Sequence, residues 1–542
     1  MPGRPGAGKV SLFVRRQLRT VTVLHQTGIV RPVSPFAIGR AGLALKRFGM
    51  GMAGGFSAAA AISPHHVAII DELGSLTYAE LDDRSTRLAN GLAAMGLEEG
   101  DAVAVLCRNS RYFVDTSVAL AKLGVDVLYL NTAFAAPQLG EVCEREKPAA
   151  IVFDEEFSGL IEAAAVSVEK IVAFVDSDEV ALPTVEELIT SGSPAPCAAP
   201  DRLARAIILT SGTTGIPKGA PRSEAGIDAG ASVLSRMHLR QGWTTHIAAP
   251  LFHTWGFAHL NLAMLLGSTM VLRRRFDPED CLRTVSEHHC DSLVVIPVML
   301  QRMLRLPAEV IAANPVPDLK ATTSSGSALP GSLGTEWMDT FGDNLFNIYG
   351  STEVAWVSIA TPADLRAAPG SAGKPPLGTV VRLYDDQDRE VPPGTPGRIF
   401  VGNSMLFEGY TGGGHKAVID GLMSIGDVGR FDERGYLFVE GRDDEMIVSG
   451  GENVFPQEIE DCLTRHELVV EAAALGVDDD EFGKRLRAFV VTSGEVSEDE
   501  LKDWVKANLA RFKVPREIVF LDELPRNATG KLLKRELQHY SA

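Results

Sequence analysis

From about residue 65 the chain alternates short apolar runs with amphipathic stretches, and this alternation restricts its possible folds more than any other feature. Strands are predicted at residues 102–107, 127–130 and 150–153, with helical patterns between and after them. Strands connected through helices pair in parallel, because a crossover helix returns the chain to the same end of the sheet. The pattern therefore predicts an α/β fold, with a largely parallel sheet covered by helices.

The pattern also changes along the chain and indicates three segments. Residues 1–64 form a basic N-terminal extension, residues 65–443 a large domain, and residues 444–542 a small C-terminal domain. In the large domain Thr77 and Glu80 form a capping box that begins a helix. In the small domain helices are predicted at 456–463 and 497–510, and strands at 472–477 and 488–491. We predict a large domain of mixed sheets with helical cover and a small α+β domain.

Composition excludes several classes of protein. The formal net charge is −18 over 542 residues, which argues against nucleic acid as the main partner. The six cysteines form no Cys-x-x-Cys pair and no zinc-like spacing. Reduced thiols of this kind are typical of a cytoplasmic protein. No apolar run is long enough to predict a transmembrane helix.

The N-terminal extension differs in charge from the rest of the chain. Residues 1–70 contain nine Lys or Arg and no Asp or Glu, whereas the remaining residues contain 43 basic and 70 acidic side chains. A basic, acid-poor segment with interspersed apolar residues fits an interfacial membrane anchor, a transit-type leader or an arm packed on the large domain. Peripheral membrane contact through residues 1–65 is therefore one expectation, beside the leader and the packed arm.

Residues 210–219 carry the clearest chemical signal in the sequence. Glycines let backbone N–H groups approach an anion, hydroxyl groups add donors, and Lys218 adds positive charge for phosphate. The order Lys218-Gly219 excludes a Walker A loop, which needs Gly-Lys-Ser/Thr. The phosphate-binding candidates are Thr210, Ser211, Gly212, Thr213, Thr214, Gly215 and Lys218.

Together with further motifs in the same order, this loop resembles the signature of the adenylate-forming superfamily. That superfamily includes acyl-CoA synthetases, peptide-synthetase adenylation domains and luciferases, and the resemblance extends over residues 65–542. The other segments that carry it are Pro250-Leu251-Phe252-His253, Ser324-Ser325-Gly326-Ser327-Ala328, Asn347-Ile348-Tyr349-Gly350-Ser351-Thr352-Glu353, Ser424-Ile425-Gly426-Asp427-Val428-Gly429, Gly441-Arg442-Asp443-Asp444, Ser449-Gly450-Gly451-Glu452-Asn453-Val454-Phe455-Pro456 and Pro525-Arg526-Asn527-Ala528-Thr529-Gly530-Lys531.

The resemblance implies ATP, Mg²⁺ and coenzyme A as small-molecule partners, together with a carboxylic acid. Lys531, His253 and Glu353 are the implied catalytic residues, and Glu353 also suits Mg²⁺, which prefers oxygen ligands. Nucleotide contacts are implied for Gly326, Tyr349, Gly350, Ser351, Thr352, Asp427 and Arg442. Asp444 corresponds to a hinge about which the small domain moves, and Ser449, Gly450 and Gly451 correspond to a coenzyme A channel.

The expected activity is acid–thiol ligation through an acyl-adenylate. Overall resemblance favours a medium- or long-chain fatty acid, and hence lipid metabolism, with an aromatic or other non-fatty carboxylate as the alternative. A peptide-synthetase module would need a carrier domain, for which no residues follow 542. A luciferase-like oxidation of the adenylate is a further alternative activity that the motifs do not exclude. A non-catalytic ligand-binding relative is the alternative from another class, and the joint presence of Lys218, Glu353, Asp427, Arg442 and Lys531 argues against it.

Overall fold

The fold is given by a computed structural model that describes most of the chain. The described residues are 18–178, 180–210, 218–222, 227–407, 409, 415–443, 447–449, 452–479, 483–509, 513–527 and 530–540. The helices are α1 (18–26 in the described part), α2 (Pro35–Phe48), α3 (Met52–Ile62), α4 (Tyr78–Ala94), α5 (Arg111–Leu123), α6 (Ala136–Glu146), α7 (Ser158–Ala163), α8 (Val185–Ser191), α9 (Ile227–Leu234), α10 (Thr254–Leu265), α11 (Pro278–Glu287), α12 (Pro297–Leu304), α13 (Ala308–Ala313), α14 (Gly331–Phe341), α15 (Pro362–Ala367), α16 (Pro456–Leu463), α17 (Glu498–Asn508) and α18 (Lys534–Leu537).

A six-stranded sheet contains the strands predicted from the alternating pattern. Its spatial order is β6-β5-β3-β4-β7-β8, and every pair is parallel except β7 with β8. The strands are β3 (Ala102–Leu106), β4 (Asp126–Tyr129), β5 (Ala150–Phe153), β6 (Glu169–Val172), β7 (Ala206–Thr210) and β8 (Lys218–Arg222). The predicted phosphate loop connects β7 to β8, the antiparallel pair at one edge of this sheet.

An eight-stranded mixed sheet contains two of the predicted motifs at its strand ends. The order is β14-β13-β12-β11-β9-β10-β1-β2, parallel inside and antiparallel at both edges. The strands are β1 (Val67–Asp71), β2 (Gly74–Thr77), β9 (Thr244–Ile247), β10 (Thr269–Leu272), β11 (Ser292–Val295), β12 (Ala321–Ser324), β13 (Leu345–Tyr349) and β14 (Ser358–Ala360). The carboxyl ends of β12 and β13 meet at one edge, where open α/β sheets bind ligands.

One large hydrophobic core joins these two sheets into a single unit. It includes Val103 and Val127 from the six-stranded sheet and Ile69 and Val294 from the eight-stranded sheet. Helix α3, which lies within the segment predicted as an extension, contributes Phe56 to the same core. Helix α4 begins with the predicted capping box, in which Thr77 and Glu80 bond each other's backbone N–H groups.

A smaller antiparallel sheet follows, with β15-β16-β18-β17 in order and β19 paired to β18. Its strands are β15 (Val380–Tyr384), β16 (Gly397–Gly402), β17 (Val418–Ile419), β18 (Leu422–Phe431) and β19 (Leu437–Arg442). In the pairing of β18 with β19, Asp427 lies opposite Arg442. The register of this sheet therefore places two predicted nucleotide residues side by side.

The C-terminal part has its own small α+β architecture. It contains the hairpin β20 (Ile447–Ser449) and β21 (Glu452–Val454), and the sheet β22 (Val469–Asp479), β23 (Gly483–Thr492) and β24 (Glu517–Phe520). Strand β23 pairs antiparallel with β22 and parallel with β24. Helices α16 and α17 pack on this sheet through a separate cluster that includes Ile459 and Leu501. The predicted fold class is confirmed: a mixed α/β chain with a large N-terminal domain and a small C-terminal domain.

All six cysteines are buried, and none forms a disulfide. Burial raises the pKa of the Cys143 thiol to about 11 and that of the Cys290 thiol to about 12. None of the described helices is both long enough and apolar enough to cross a bilayer.

Candidate active site

Two unsatisfied polar side chains lie at the end of the eight-stranded sheet. Ser324 of β12 pairs with Asn347 of β13. The Ser324 Oγ and Asn347 Oδ1 atoms are buried and have no hydrogen-bond partner among the described residues. Buried polar groups are normally bonded, so these two atoms suit a polar ligand at the strand ends.

The loop after β13 is held in a tight conformation. A Cβ atom on Gly350 would lie 2.1 Å from the Ala355 carbonyl oxygen, so only glycine fits. The Glu353 N–H donates to Ser351 Oγ at 3.2 Å, and the Glu353 carbonyl accepts from the Phe407 N–H at 2.8 Å. These bonds fix the backbone of the residue predicted to carry the metal carboxylate.

The same loop contacts the beginning of helix α10. The Thr352 and Thr254 hydroxyl oxygens are 3.2 Å apart. Thr254 follows His253, which is the N-cap residue of α10. Gly256, in the first turn of that helix, lies so close to Pro250 that a Cβ atom would be 2.2 Å from the Pro250 carbonyl oxygen. The predicted segment that ends at His253 and the segment from Tyr349 to Glu353 are therefore neighbours.

Asp427 is the centre of a partly buried polar triad. The Tyr349 hydroxyl donates to Asp427 Oδ2, and Arg442 Nη1 lies 3.2 Å from Asp427 Oδ1. Burial raises the pKa of Asp427, while the bonds from Tyr349 and Arg442 act in the opposite direction. Gly426, with φ +83°, leaves the Arg442 guanidinium room: a Cβ there would be 3.3 Å from Nη2. Three predicted nucleotide residues thus meet at one carboxylate.

His253 is an uncharged imidazole at neutral pH. Burial, together with the smaller effect of the Lys531 charge, lowers its pKa to about 4. This effect requires the Lys531 ammonium to be near the imidazole. A neutral imidazole can accept a hydrogen bond or donate one without adding charge.

Lys531 lies in the small domain, yet its charge acts on residues of the large domain. It lowers the pKa of both His253 and Asp427. The preceding Gly530 has φ +75°, and a Cβ there would be 2.7 Å from Ile296 Cδ1 and 2.8 Å from Val298 Cγ1. Close packing of the two domains therefore brings Lys531 to the edge where the other predicted residues lie.

Other predicted residues are only partly described. Thr210 and Lys218 are paired as the last and first residues of β7 and β8, which fixes both ends of the phosphate loop. Gly326 has φ +97° and would place a Cβ 3.3 Å from Ile296 Cγ2. The backbone of Ser449 pairs with Glu452 in the β20–β21 hairpin. Ser211, Gly212, Thr213, Thr214, Gly215, Asp444, Gly450 and Gly451 lie outside the described residues.

The structure adds residues that sequence reasoning gave no role. Thr254 directly follows a predicted motif, and Ser324 and Asn347 belong to predicted segments, but nothing in the sequence indicated which of their side chains face the site. Trp255, two residues after His253, is buried and donates its indole N–H to the Val295 carbonyl at 2.9 Å. It therefore has a packing role in the core.

Comparison with family models agrees with this arrangement. Residues 56–411 match the model described as AMP-binding enzyme, and residues 458–531 match the AMP-binding enzyme C-terminal domain. The first match covers more than half of the chain, and the second covers the part that carries Lys531.

Curated relatives and solved structures give the same result. The chain is 32% identical to a 2-succinylbenzoate–CoA ligase of Bacillus licheniformis, covering 88% of this chain and 98% of that protein. It is 32% identical to the fatty acid–[acyl-carrier-protein] ligase ScoC of Streptomyces coeruleorubidus, covering 88% and 93%.

Among solved structures, the o-succinylbenzoate CoA synthetase of Bacillus subtilis has been determined with its acyl-adenylate intermediate. It superposes with a TM-score of 0.78 at 28% identity, covering 90% of this chain and 98% of that chain. A second structure of that enzyme, with ATP and a magnesium ion, has a TM-score of 0.77. The resemblance seen in the motifs is confirmed, and this chain belongs to the AMP-binding enzyme family, the adenylate-forming superfamily of acid–thiol ligases.

Proposed function

We propose that this ligase carries out both half-reactions at the edge where Asp427, His253 and Lys531 meet. In the first, a carboxylic acid and ATP give an acyl-adenylate and pyrophosphate. In the second, the acyl group passes to coenzyme A and AMP is released. The observation that carries the proposal is the close packing of Gly530 against Ile296 and Val298, because it brings the neighbouring Lys531 of the small domain to the side of the large domain that carries the nucleotide triad.

Activation is needed because a carboxylate lacks a good leaving group. One carboxylate oxygen attacks the α-phosphorus of ATP, and the bond between that phosphorus and the bridging oxygen breaks to release pyrophosphate. Positioning and neutralisation of charge account for most catalysis of such a transfer. The coenzyme A sulfur then attacks the acyl carbon, AMP leaves with the electron pair, and the thiol proton passes to solvent.

The proposed roles follow from the placement of each residue. Asp427 receives the ribose hydroxyls, with Tyr349 and Arg442 holding its carboxylate. Glu353 would hold the Mg²⁺ that accompanies ATP, and the ion would neutralise charge on the phosphates. Ser324 and Asn347 offer their unsatisfied atoms to the base or acyl group.

The remaining proposed roles concern the phosphates and the second half-reaction. The loop 211–217, closed by Thr210 and Lys218, holds the β- and γ-phosphates. A rotation about Asp444 then withdraws Lys531 and brings the Ser449–Gly451 segment to the thioester-forming site. Such hinge rotations are a common form of domain movement.

For the acid we propose an aromatic carboxylate, which the sequence interpretation kept as the alternative to a fatty acid. The 2-succinylbenzoate–CoA ligase and the solved o-succinylbenzoate synthetase support the aromatic class. The relative ScoC, whose name specifies a fatty acid, supports the competing class at the same identity.

A panel of acids tests the activity and the substrate class together. We expect Mg²⁺-dependent release of pyrophosphate and AMP from ATP, faster with 2-succinylbenzoate than with decanoate. Faster release with decanoate would overturn the aromatic assignment and return the prediction to fatty acids. Formation of ADP and phosphate with every acid would contradict adenylation itself.

We also propose that this ligase is a cytoplasmic protein that attaches peripherally to anionic membrane through its N-terminal helices. The outward side of α2 alternates apolar and basic residues at helical spacing: Phe36, Arg40, Leu43 and Arg47. Phe36 is 75% exposed and Leu43 66% exposed, which is unusual for side chains of this size. Residues 18–70 contain no acidic side chain, so the charge of this surface complements anionic lipid.

Two substitutions on this surface should weaken membrane binding. Removing Phe36 and Leu43 from the interface by Phe36→Asp and Leu43→Asp should lower affinity for phosphatidylserine-containing vesicles about 100-fold, since burying each side chain contributes roughly 1.5–3 kcal/mol. Binding should also weaken with salt. Co-sedimentation with and without phosphatidylserine measures this, with Val380→Asp and Val418→Asp as a matched pair on exposed strands elsewhere. Equal sedimentation of both double variants and the parent would contradict the proposal.

A further inference from the structure

Glu471, near the beginning of β22, lies between two arginines from different domains. Arg526 Nη2 donates to Glu471 Oε2 at 2.8 Å, within the small domain. Arg305 Nη1, just after α12 of the large domain, lies 3.8 Å from Glu471 Oε1. The Glu471 side chain is 14% exposed, so solvent screens its interaction with Arg526 less than that of an open surface pair.

Arg526 in turn holds the turn that carries Lys531. Its Nη1 atom donates to the Gly530 carbonyl at 2.8 Å. Asn527 closes the same turn, because the Lys531 N–H donates to Asn527 Oδ1 at 2.9 Å and the Asn527 N–H donates to the Lys531 carbonyl at 2.9 Å. The position of the Lys531 backbone therefore depends on a chain of contacts that begins at Glu471.

Helix α12 is the other support of the arrangement. Gln301 Nε2 donates to the Val470 carbonyl at 2.9 Å, directly before Glu471. Ile296 and Val298, at the beginning of α12, pack so closely on Gly530 that a side chain there would have to displace them. One short helix thus contacts both the Glu471 segment and the Lys531 turn.

The charges favour this contact. Burial lowers the pKa of Arg305, and the positive charges of Arg302 and Arg526 act in the same direction, whereas Glu471 and, after it, Glu336 act in the opposite direction. Without the carboxylate, two cations would face each other across the domain boundary. Repulsion between them would favour separation of α12 from the Lys531 turn.

We propose that Glu471 is a positioning residue for adenylation: by bridging Arg305 and Arg526 it seats the Lys531 turn against α12. It contacts no reacting atom itself. The contact to Arg305 must break when the small domain rotates, so Glu471 favours the adenylating arrangement over the thioester-forming one. This inference rests on the role of Lys531 given under Proposed function.

The test compares the two half-reactions in Glu471→Gln, which keeps the size of the side chain and removes its charge. We expect pyrophosphate release to slow roughly 10- to 100-fold, because a displacement of about 1 Å at a catalytic group can cost that much. Consumption of the synthetic adenylate with coenzyme A should stay within about twofold, since Lys531 is withdrawn in that step. The acid is the best substrate from the panel above. Glu467→Gln, the same change at an exposed residue four positions away, should leave both rates unchanged.

Further variants keep the test decisive if Glu471→Gln folds poorly. Arg526→Gln breaks the same chain of contacts one step later and should give the same selective loss. The double variant Glu471→Gln/Arg526→Gln should be no slower than the slower single variant. Both substitutions break the same chain of contacts, so their effects should not add. Arg305→Gln should have a smaller effect, since that side chain is 44% exposed and its ion pair is longer.

Two results would overturn the inference. Equal losses in both half-reactions would indicate a merely structural role, and unchanged adenylation would show that the bridge does not position Lys531. Measuring Lys531→Ala beside these variants separates this failure from that of the proposed function. If Lys531→Ala loses adenylation selectively while Glu471→Gln and Arg526→Gln do not, only the bridge is wrong; if Lys531→Ala has no selective effect, both proposals fail.

Discussion

Replacing Lys531 by alanine should slow acyl-adenylate formation about 10²–10³-fold, the usual cost of removing one electrostatic donor from a transition state. Negative charge builds on the α-phosphate as the carboxylate attacks, and a cation already in place lowers that barrier. Conversion of a supplied acyl-adenylate and coenzyme A should continue, because the lysine is withdrawn in that half-reaction. ATP binding should weaken only modestly, since Asp427 and Glu353 are unchanged.

Both rates can be measured on one preparation, by pyrophosphate release and by consumption of synthetic adenylate. Lys506→Ala is the control, because Lys506 is an exposed lysine on α17 of the same small domain, with its ammonium 3.9 Å from Asp503 Oδ1. It should leave both rates intact. If Lys531→Ala lowered both rates alike in a folded protein, the domain rotation would lose its support as well.

Replacing Gly350 by alanine should reduce adenylation about 100-fold, because the new methyl group cannot fit without moving the loop. Its Cβ would lie 2.1 Å from the Ala355 carbonyl oxygen and 2.8 Å from the Trp356 Cα atom, and both neighbours are backbone. Relief requires a shift of about 1 Å in the segment that carries Thr352 and Glu353, enough to disturb a near-attack geometry. Steady-state pyrophosphate release measures the loss.

The matched control is Gly334→Ala, the same change inside helix α14. There the nearest atom to a new Cβ would be Leu329 Cδ2 at 3.6 Å, an ordinary contact. Alanine in a helix interior is favoured over glycine by about 0.5–1 kcal/mol, so this variant should be slightly more stable and fully active. Circular dichroism on both variants separates loss of fold from loss of activity. Normal activity in Gly350→Ala would show that the loop tolerates displacement.

The sequence predicted much of the fold because its signals are local. The capping box at Thr77 and Glu80 correctly gave the beginning of α4, and the apolar run at 150–153 coincides with β5. Periodicity and caps act within a few residues, so they indicate where elements begin and end. They do not determine the order of strands in a sheet, so they could not predict that β1 pairs with β10.

The site was predicted as a set of residues but not as a set of contacts. Tyr349 and Asp427 were assigned separately to the nucleotide, yet the bond between them joins positions 78 residues apart. No sequence pattern singled out Glu471, since an isolated acidic residue at the beginning of a strand is typical of a solvated surface. Its significance comes from two arginines that only the packing of the domains brings to it.

The burial of all six thiols has a consequence for the chemistry of the intermediate. An acyl-adenylate is a reactive acyl donor that will acylate an accessible thiolate. Because the chain's own cysteines are buried, and burial raises the pKa of Cys143 to about 11 and that of Cys290 to about 12, these thiols are protected from acylation during turnover. The same property means that a single cysteine introduced at an exposed position such as 506 would be selectively labelled by a maleimide dye, which would let the movement of the small domain be followed by fluorescence.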